Sequence, residues 1–178
     1  MEAFEHVVKV YLETEGYIVT SGIKFPVEVE LRQRDGKIQR QRHGFEVDLV
    51  AAKSRSLLLG SVKSFFGSTG VQRSGFTGLT AEDKPALLGR YRMFNDAHVR
   101  RGIIEGAKER YGYSSKEIEL ALFVGKFKKG DEEPIREHLS KIKAGGGPVR
   151  VVALDEMVDR LLELSASPPT SMTRLWSR

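Results

Sequence analysis

Hydrophobic and polar positions along the chain first recur at a helical spacing. Phe4, Val8 and Leu12 stand four residues apart, which predicts a helix from about Glu2 to Glu15. Gly16 follows and can end the helix in the left-handed conformation that glycine adopts without strain. The chain therefore opens with an amphipathic helix that needs a partner surface.

The spacing then changes to the alternation of a β-strand. Residues 27–31 alternate apolar and acidic side chains, and Asp35-Gly36 predicts a hairpin turn. Residues 37–50 form the returning strand, and residues 57–63 form the next strand after a turn at residues 54–56. We expect these strands to pair as antiparallel neighbours.

The second half of the chain predicts helices that alternate with strands. A Gly/Ser/Thr-rich loop over residues 64–80 leads to one long helix over about 81–111, with Thr80 and Asp83 at its start. The remaining elements are a strand over 119–127, a helix over 132–143, a strand over 149–154 and a helix over 155–164 capped by Asp155. This order predicts an α/β sandwich with a central mixed β-sheet flanked by helices. We expect one domain over residues 1–164 and a poorly ordered tail over 165–178.

The composition excludes several kinds of functional site and favours others. The chain has 178 residues, a net charge of +5 and no cysteine, so disulfides, zinc-thiolate sites and a cysteine nucleophile are excluded. No apolar run approaches a membrane span, and the N-terminus carries acids where a signal peptide needs bases. We expect a cytoplasmic protein with no membrane partner. The basic excess favours a polyanionic partner.

Four polar side chains interrupt the apolar strands over residues 45–63. Glu46 and Asp48 share one face of the first strand, and Ser61 and Lys63 share one face of the next. If the two strands pair, two carboxylates, a hydroxyl and an ammonium group converge. Such a group can hold a divalent cation and polarise a phosphate. The alternative is that Asp48 and Lys63 form a structural ion pair.

This arrangement resembles the PD-(D/E)XK nuclease superfamily, which includes restriction enzymes and Holliday-junction resolvases. The resemblance implies a restriction-endonuclease-like fold. It implies that Asp48 is the metal-binding acid of the strand, that Lys63 is the catalytic lysine and that Glu5 is a glutamate contributed by the first helix. It also implies Mg²⁺ as the cofactor, with Mn²⁺ as a substitute. Glu46 would be a second metal ligand.

Ser61 departs from the family pattern, which has Glu or Asp two residues before the lysine. Some restriction enzymes of the superfamily also read Ser-X-Lys and supply the acid from the following helix. Glu82 or Asp83 would take that part here. The alternative for both is that they stabilise the N-terminal end of a helix.

Basic residues surround the expected hairpin turn and are candidates for phosphate contacts. They are Arg32, Arg34, Lys37, Arg40 and Arg42. The long helix carries further arginines, at positions 90, 92, 100 and 101, that could extend this surface. The alternative in each case is a solvated, charged face.

The sequence therefore predicts a metal-dependent nuclease that hydrolyses phosphodiester bonds in DNA. Asp48, Lys63 and Ser61 are the candidate catalytic residues, and Asp48, Glu46, Glu5 and Glu82 are the candidate metal ligands. Two alternatives stay open: a catalytically weakened nucleic-acid-binding module on the same fold, and an α/β interaction domain. The protein could also act as a homodimer.

Overall fold

A computed structural model describes residues 3–32, 38–81 and 84–166 of the chain. The expected turn at Asp35-Gly36 and the expected acid contributors Glu82 and Asp83 lie outside these described residues, as do residues 167–178 of the expected tail. Within the described ranges the chain is an α/β protein, as the sequence predicts.

The helices and strands follow one another in nearly the predicted order. The helices are α1 (Ala3–Thr14), α2 (Pro85–Leu88), α3 (Arg92–Asn95), α4 (Ala97–Tyr111), α5 (Glu132–Ser140) and α6 (Leu154–Ala166). The strands are β1 (Ile18–Arg32), β2 (Ile38–Lys53), β3 (Ser56–Lys63), β4 (Ile118–Val124), β5 (Lys143–Ala144), β6 (Gly147–Pro148) and β7 (Arg150–Ala153).

Five strands form the central sheet in the order β1-β2-β3-β4-β7. The first three are antiparallel neighbours, whereas β3, β4 and β7 run parallel to one another. The sheet is therefore mixed, as expected. Because β3, β4 and β7 are parallel, their carboxyl ends lie along one edge of the sheet, and Lys63 ends β3 there.

Helices cover both faces of the sheet and divide the core in two. On one face, Phe4 and Leu12 of α1 and Met157 of α6 pack against Leu58 and Phe123; we call this the α1-side core. On the other face, α4 and α5 contribute buried apolar residues, including Val99, Ile103 and Ile135, that pack against Leu57 and Leu59; we call this the α4-side core. Alternate residues of β3 thus enter opposite cores, so every position on this strand is fixed to a face.

The expectation of one long helix over 81–111 is wrong. Within the described residues this segment contains three helices, α2, α3 and α4, joined by a 3-10 turn at Gly89–Tyr91 and by Asp96. The Asp96 side chain accepts hydrogen bonds from the backbone N–H groups of His98 (2.9 Å) and Val99 (3.2 Å). Asp96 is therefore an N-cap, and a new helix begins after it.

The expected start of the last helix is also corrected. α6 begins at Leu154, and Asp155 lies inside its first turn rather than at the cap. The backbone N–H of Ala153 donates to the Glu156 side chain at 2.9 Å. The helix continues to Ala166, so the first residues of the expected tail are helical.

In the part of the chain that the structure describes, every helix is too short or too polar to cross a membrane.

Candidate functional site

Asp48 lies where β2 separates from β3. The two strands pair from Lys53–Ser56 to Leu49–Gly60, and Asp48 is the next residue along β2. Its Oδ2 atom accepts hydrogen bonds from the backbone N–H of Val62 at 2.6 Å and from the Ser61 hydroxyl at 3.1 Å. The carboxylate thus replaces the backbone partner that β3 loses when β2 turns away.

Lys63 completes this group. Its Nζ atom donates to the same Oδ2 atom at 3.2 Å, and the Lys63 and Asp48 side chains are 19% and 24% exposed. The prediction that Asp48, Ser61 and Lys63 converge on adjacent strands is confirmed.

The three side chains open into one cleft with a volume of about 250 Å³. Phe45, Val47 and Glu46 of β2 line the side next to Asp48. The opposite wall is the segment from Gly89 to Phe94, together with Ile103 of α4. The cleft therefore lies on the α4 side of the sheet.

The other three predicted metal ligands do not share the position of Asp48. Glu46 lines the cleft but is exposed, and its carboxylate forms an ion pair with Lys24 on β1 at 3.7 Å. Glu5 lies on α1, whose buried residues belong to the α1-side core, and it is not among the described residues that line the cleft. Glu82, the acid expected from the following helix, lies outside the described residues.

The described acidic side chains are few around the cleft, with Asp48 and Glu46 lining it. Across residues 3–32, 38–81 and 84–166, no three Asp, Glu or His side chains are grouped so that they could hold a metal ion. Asp48 and Glu46 are two carboxylates in one cleft. Mg²⁺ often takes only one or two protein carboxylates and completes its coordination with water and substrate phosphate. The described residues therefore fit a minimal Mg²⁺ site at most.

Two of the basic residues near the expected hairpin turn have their positive charge offset by acids on the neighbouring strand. Arg40 forms an ion pair with Glu30 at 3.2 Å, and Arg42 forms one with Glu28 at 3.6 Å, each across the β1–β2 ladder. These acids offset the positive charge of both arginines. Arg34 and Lys37 lie outside the described residues, and for Arg32 only the backbone, at the end of β1, is described.

Two arginines that the sequence assigned to a general basic surface line the cleft. The Arg92 guanidinium lies 4.7 Å from the centre of the Phe45 ring, and that of Arg90 lies 5.9 Å from the centre of the Phe65 ring. Tyr91 lies between them and is buried, which raises the pKa of its phenol, so it stays neutral. Sequence reasoning missed this wall because it expected a continuous helix, whereas the 3-10 turn directs these residues to the cleft.

The loop after Lys63 is anchored to the rest of the fold. Val71 forms a β-bridge with Phe127, and the buried Asp131 side chain accepts hydrogen bonds from both the backbone N–H (3.0 Å) and the Nε (2.8 Å) of Arg73. Farther along, Asn95 donates to the carbonyls of Gly75 (2.8 Å) and Leu88 (3.1 Å). The loop and the cleft wall are thus held as one unit.

Comparisons with known proteins leave the family of this chain open. No protein-family model and no curated protein matches it. Among solved structures, the crystal structure of AF1548, a protein of unknown function, matches with a TM-score of 0.42 and 14% sequence identity, over 96% of this chain and 70% of that one.

Proposed function

We propose that this protein is a metal-dependent DNA nuclease that hydrolyses phosphodiester bonds in the cleft at Asp48 and Lys63. One observation carries the proposal: a carboxylate and an ammonium group lie 3.2 Å apart on adjacent strands, where β3 ends, and open into a cleft lined by further cations. An acid and a lysine in this relation are what the resemblance to the PD-(D/E)XK nucleases implies. A DNA substrate would also agree with the expected cytoplasmic location.

Asp48 and Glu46 would hold Mg²⁺ together with a phosphate oxygen of the substrate. Bound there, the cation would supply positive charge against the charge that develops on the phosphoryl group. Ser61 leaves the site one carboxylate short of the family pattern, and Glu82 is the proposed replacement.

Lys63 would donate hydrogen bonds to the attacked phosphate or to the attacking water. Its partner Asp48 fixes the position of its Nζ atom, and the hydrogen bond from Ser61 fixes Asp48 in turn. The ammonium group is partly shielded from solvent, so its field acts on a bound phosphate with less screening than in bulk water. Hydrolysis would add water to phosphorus and break the bond to one bridging oxygen, which takes up a proton.

A second candidate function is DNA binding without cleavage on the same cleft. The observation that favours it is that Asp48 Oδ2 already accepts three hydrogen bonds, from Ser61, Val62 and Lys63. A carboxylate used in this way stabilises the end of β3 and has one oxygen left for other ligands. In this case Asp48 is structural and the cations of the cleft bind phosphate.

A cleavage assay separates the two. Purified protein is incubated with supercoiled, linear, single-stranded and branched DNA in Mg²⁺, Mn²⁺ or EDTA. Asp48→Asn and Lys63→Met keep the size of each side chain but remove its charge. Asp155→Asn and Lys116→Met are the matched controls, because both residues are exposed and lie outside the cleft lining.

The nuclease proposal expects metal-dependent products that both cleft variants lower by at least about 100-fold, as is usual for groups that act in a transition state, while the controls cleave normally. Binding without cleavage of any DNA form would support the second candidate and contradict the first. The mass of the protein in solution, measured on the same samples, tests the expected homodimer.

A further inference from the structure

Phe65 is the one non-glycine residue with a positive φ, 47°, in the described ranges. It follows Lys63 by two positions and lies at the start of the loop beside the cleft. An aromatic residue rarely adopts this conformation, because its Cβ atom crowds the neighbouring carbonyl. Backbone strain of this kind persists only where the surrounding contacts impose it, and it is concentrated at functional sites.

Several contacts hold Phe65 in place. Its carbonyl accepts hydrogen bonds from the backbone N–H of Ser68 at 3.1 Å and from the Ser68 hydroxyl at 3.2 Å. Lys126 donates to the Ser68 carbonyl at 2.9 Å, which ties this turn to the segment after β4. Gly125 allows the close approach, since a Cβ atom there would clash with the Ser64 carbonyl oxygen.

The strained conformation places the Phe65 ring beneath Arg90. The ring also packs against the α4-side core, so it is a fixed platform for the guanidinium 5.9 Å away. A guanidinium that stacks on an aromatic ring keeps its N–H groups free along its edge. Arg90 is exposed and lines the same cleft as Asp48 and Lys63.

The charges around the cleft distinguish Arg90 from its neighbours. Lys63 is engaged by Asp48, and Arg92, which stacks on Phe45, is engaged by Asp96 at 3.5 Å. Arg90 forms no ion pair with any residue in the described ranges, and its guanidinium lies over the Phe65 ring at the longer distance of 5.9 Å. Of the cations on the wall opposite Asp48, Arg90 is therefore the one whose charge the described carboxylates leave for a ligand.

We propose that Arg90, held over the strained Phe65, binds a phosphate of the DNA backbone next to the phosphate at Lys63. Phe65 is a positioning residue that acts through Arg90. The inference rests on the proposed function only in its choice of DNA as the ligand, and it holds equally for a nuclease and for a binding module.

The test is a titration of a fluorescent 20-base-pair duplex with the protein in EDTA over a range of salt concentrations, so that no cleavage occurs. Loss of one phosphate contact lowers the slope of log K against log salt by about 0.9 and weakens binding roughly 5- to 10-fold near 0.1 M salt. We expect this for Arg90→Ala. Arg92→Ala should change the slope less because Asp96 already balances its charge, and Arg101→Ala, outside the cleft lining, should not change it.

The positioning role has its own readout. Phe65→Leu should lower the slope as Arg90→Ala does, whereas Phe65→Tyr should retain the wild-type slope because its ring can still stack. In the Arg90→Ala background, Phe65→Leu should have no further effect on binding, since the residue through which it acts is gone. Circular dichroism spectra confirm that each variant is folded.

Three outcomes separate this inference from the proposed function. If wild type binds DNA and Arg90→Ala leaves the slope unchanged, the inference is wrong and the nuclease proposal still stands on its cleavage assay. If wild type binds DNA with the expected Arg90 effect but cleaves nothing, the inference holds and the nuclease proposal fails. If wild type binds no DNA in EDTA, the inference is wrong, and the cleavage assay in Mg²⁺ or Mn²⁺ alone decides the nuclease proposal.

Discussion

Gly22 on β1 lies level with Asp48 on β2 and has a φ of +66°, in the left-handed region. The strand pairs on both sides of this point keep one register, so no residue is inserted. The apolar side chains nevertheless change face here, because Val47 belongs to the α4-side core and Leu49 to the α1-side core. The change of face therefore occurs at Asp48 and Gly22, and Asp48 is also the first residue of β2 beyond its ladder to β3.

Gly22→Ala should lower the free energy of unfolding by about 1 kcal/mol, the cost of a left-handed conformation for a residue with a Cβ atom. No atom of the described residues, apart from the chain neighbours of Gly22, lies within 4 Å of the added methyl group, so the loss measures backbone strain rather than a clash. Gly44→Ala is the control, because Gly44 is on the same hairpin without a positive φ and its Cβ atom would contact Lys24 at an ordinary 3.7 Å. Urea denaturation measures the free energy of unfolding of both variants. Equal decreases in the two variants would show that the left-handed conformation at Gly22 carries no specific cost.

A second prediction concerns the bidentate ion pair that joins α1 to the edge strand β7. Arg150 donates to the Glu15 carboxylate at 3.0 and 3.2 Å and also contacts the Tyr11 hydroxyl. Burial alone would raise the pKa of Glu15, but the hydrogen bonds and charge of Arg150 outweigh it and lower the pKa. A carboxyl group whose pKa is lower in the folded state stabilises the protein above its unfolded pKa, near 4.3, and this stabilisation is lost as the pH falls through the folded pKa.

Glu15→Gln should therefore destabilise the protein at pH 7, by roughly 1 kcal/mol for a partly exposed pair. The difference from wild type should shrink as the pH falls below about 4. Thermal unfolding from pH 3 to pH 7 measures it. Glu163→Gln, on the exposed face of α6, is the control. A constant difference across this range would show that the Glu15 charge is not involved.

A third prediction concerns Asp131, whose side chain is only 4% exposed and accepts both hydrogen bonds from Arg73. Asp131→Ala removes the carboxylate that accepts both of these partly buried hydrogen bonds, one of them from a charged guanidinium, which should cost about 2 kcal/mol. Because this contact anchors the loop over residues 64–81, limited proteolysis should cut that loop sooner in the variant. Asp131→Asn keeps one oxygen acceptor and should protect the loop better. If the loop is cut no faster in Asp131→Ala, its other contacts suffice to hold it.

Much of the fold could be predicted because its signals are local. The four-residue spacing of Phe4, Val8 and Leu12 gave α1, and the acidic and lysine positions on two apolar strands gave the convergence of Asp48 with Lys63. Alternation along a strand determines which side chains share a face, so this geometry needs only the right pairing of neighbouring strands.

The register of β1 against β2 and the break in the expected long helix could not be predicted from such local signals. A two-residue turn at Asp35-Gly36 would have placed Glu30 opposite Gln41, but the observed register pairs it with Arg40 and so balances that charge. A shift of one residue changes which side chains lie opposite each other on the two strands, and the register is determined by the packing of the whole sheet. The start of a new helix at α4 could have been predicted, because Asp96 is a typical N-cap residue. The helix-forming residues on both sides of Asp96 instead favoured one continuous helix.

The last prediction addresses the acid that Ser61 replaces. Ser61 is nearly buried and its hydroxyl lies 3.1 Å from Asp48 Oδ2, so Ser61→Glu brings a second carboxylate next to the first. In EDTA the two like charges repel each other, and the larger side chain strains the packing, so the variant should lose about 2 kcal/mol or more. Ser61→Gln has nearly the same size without the charge, and it should suffer the packing loss alone.

If the cleft is a Mg²⁺ site short of one acid, millimolar Mg²⁺ should raise the Tm of Ser61→Glu by several degrees, because a ligand that binds only the folded state stabilises it. The same Mg²⁺ should leave Ser61→Gln nearly unchanged, and wild type should lie between them. Equal responses of the two variants to Mg²⁺ would show that an acid at position 61 does not reach a metal, and Asp48 would then be an acceptor that stabilises the end of β3 and nothing more.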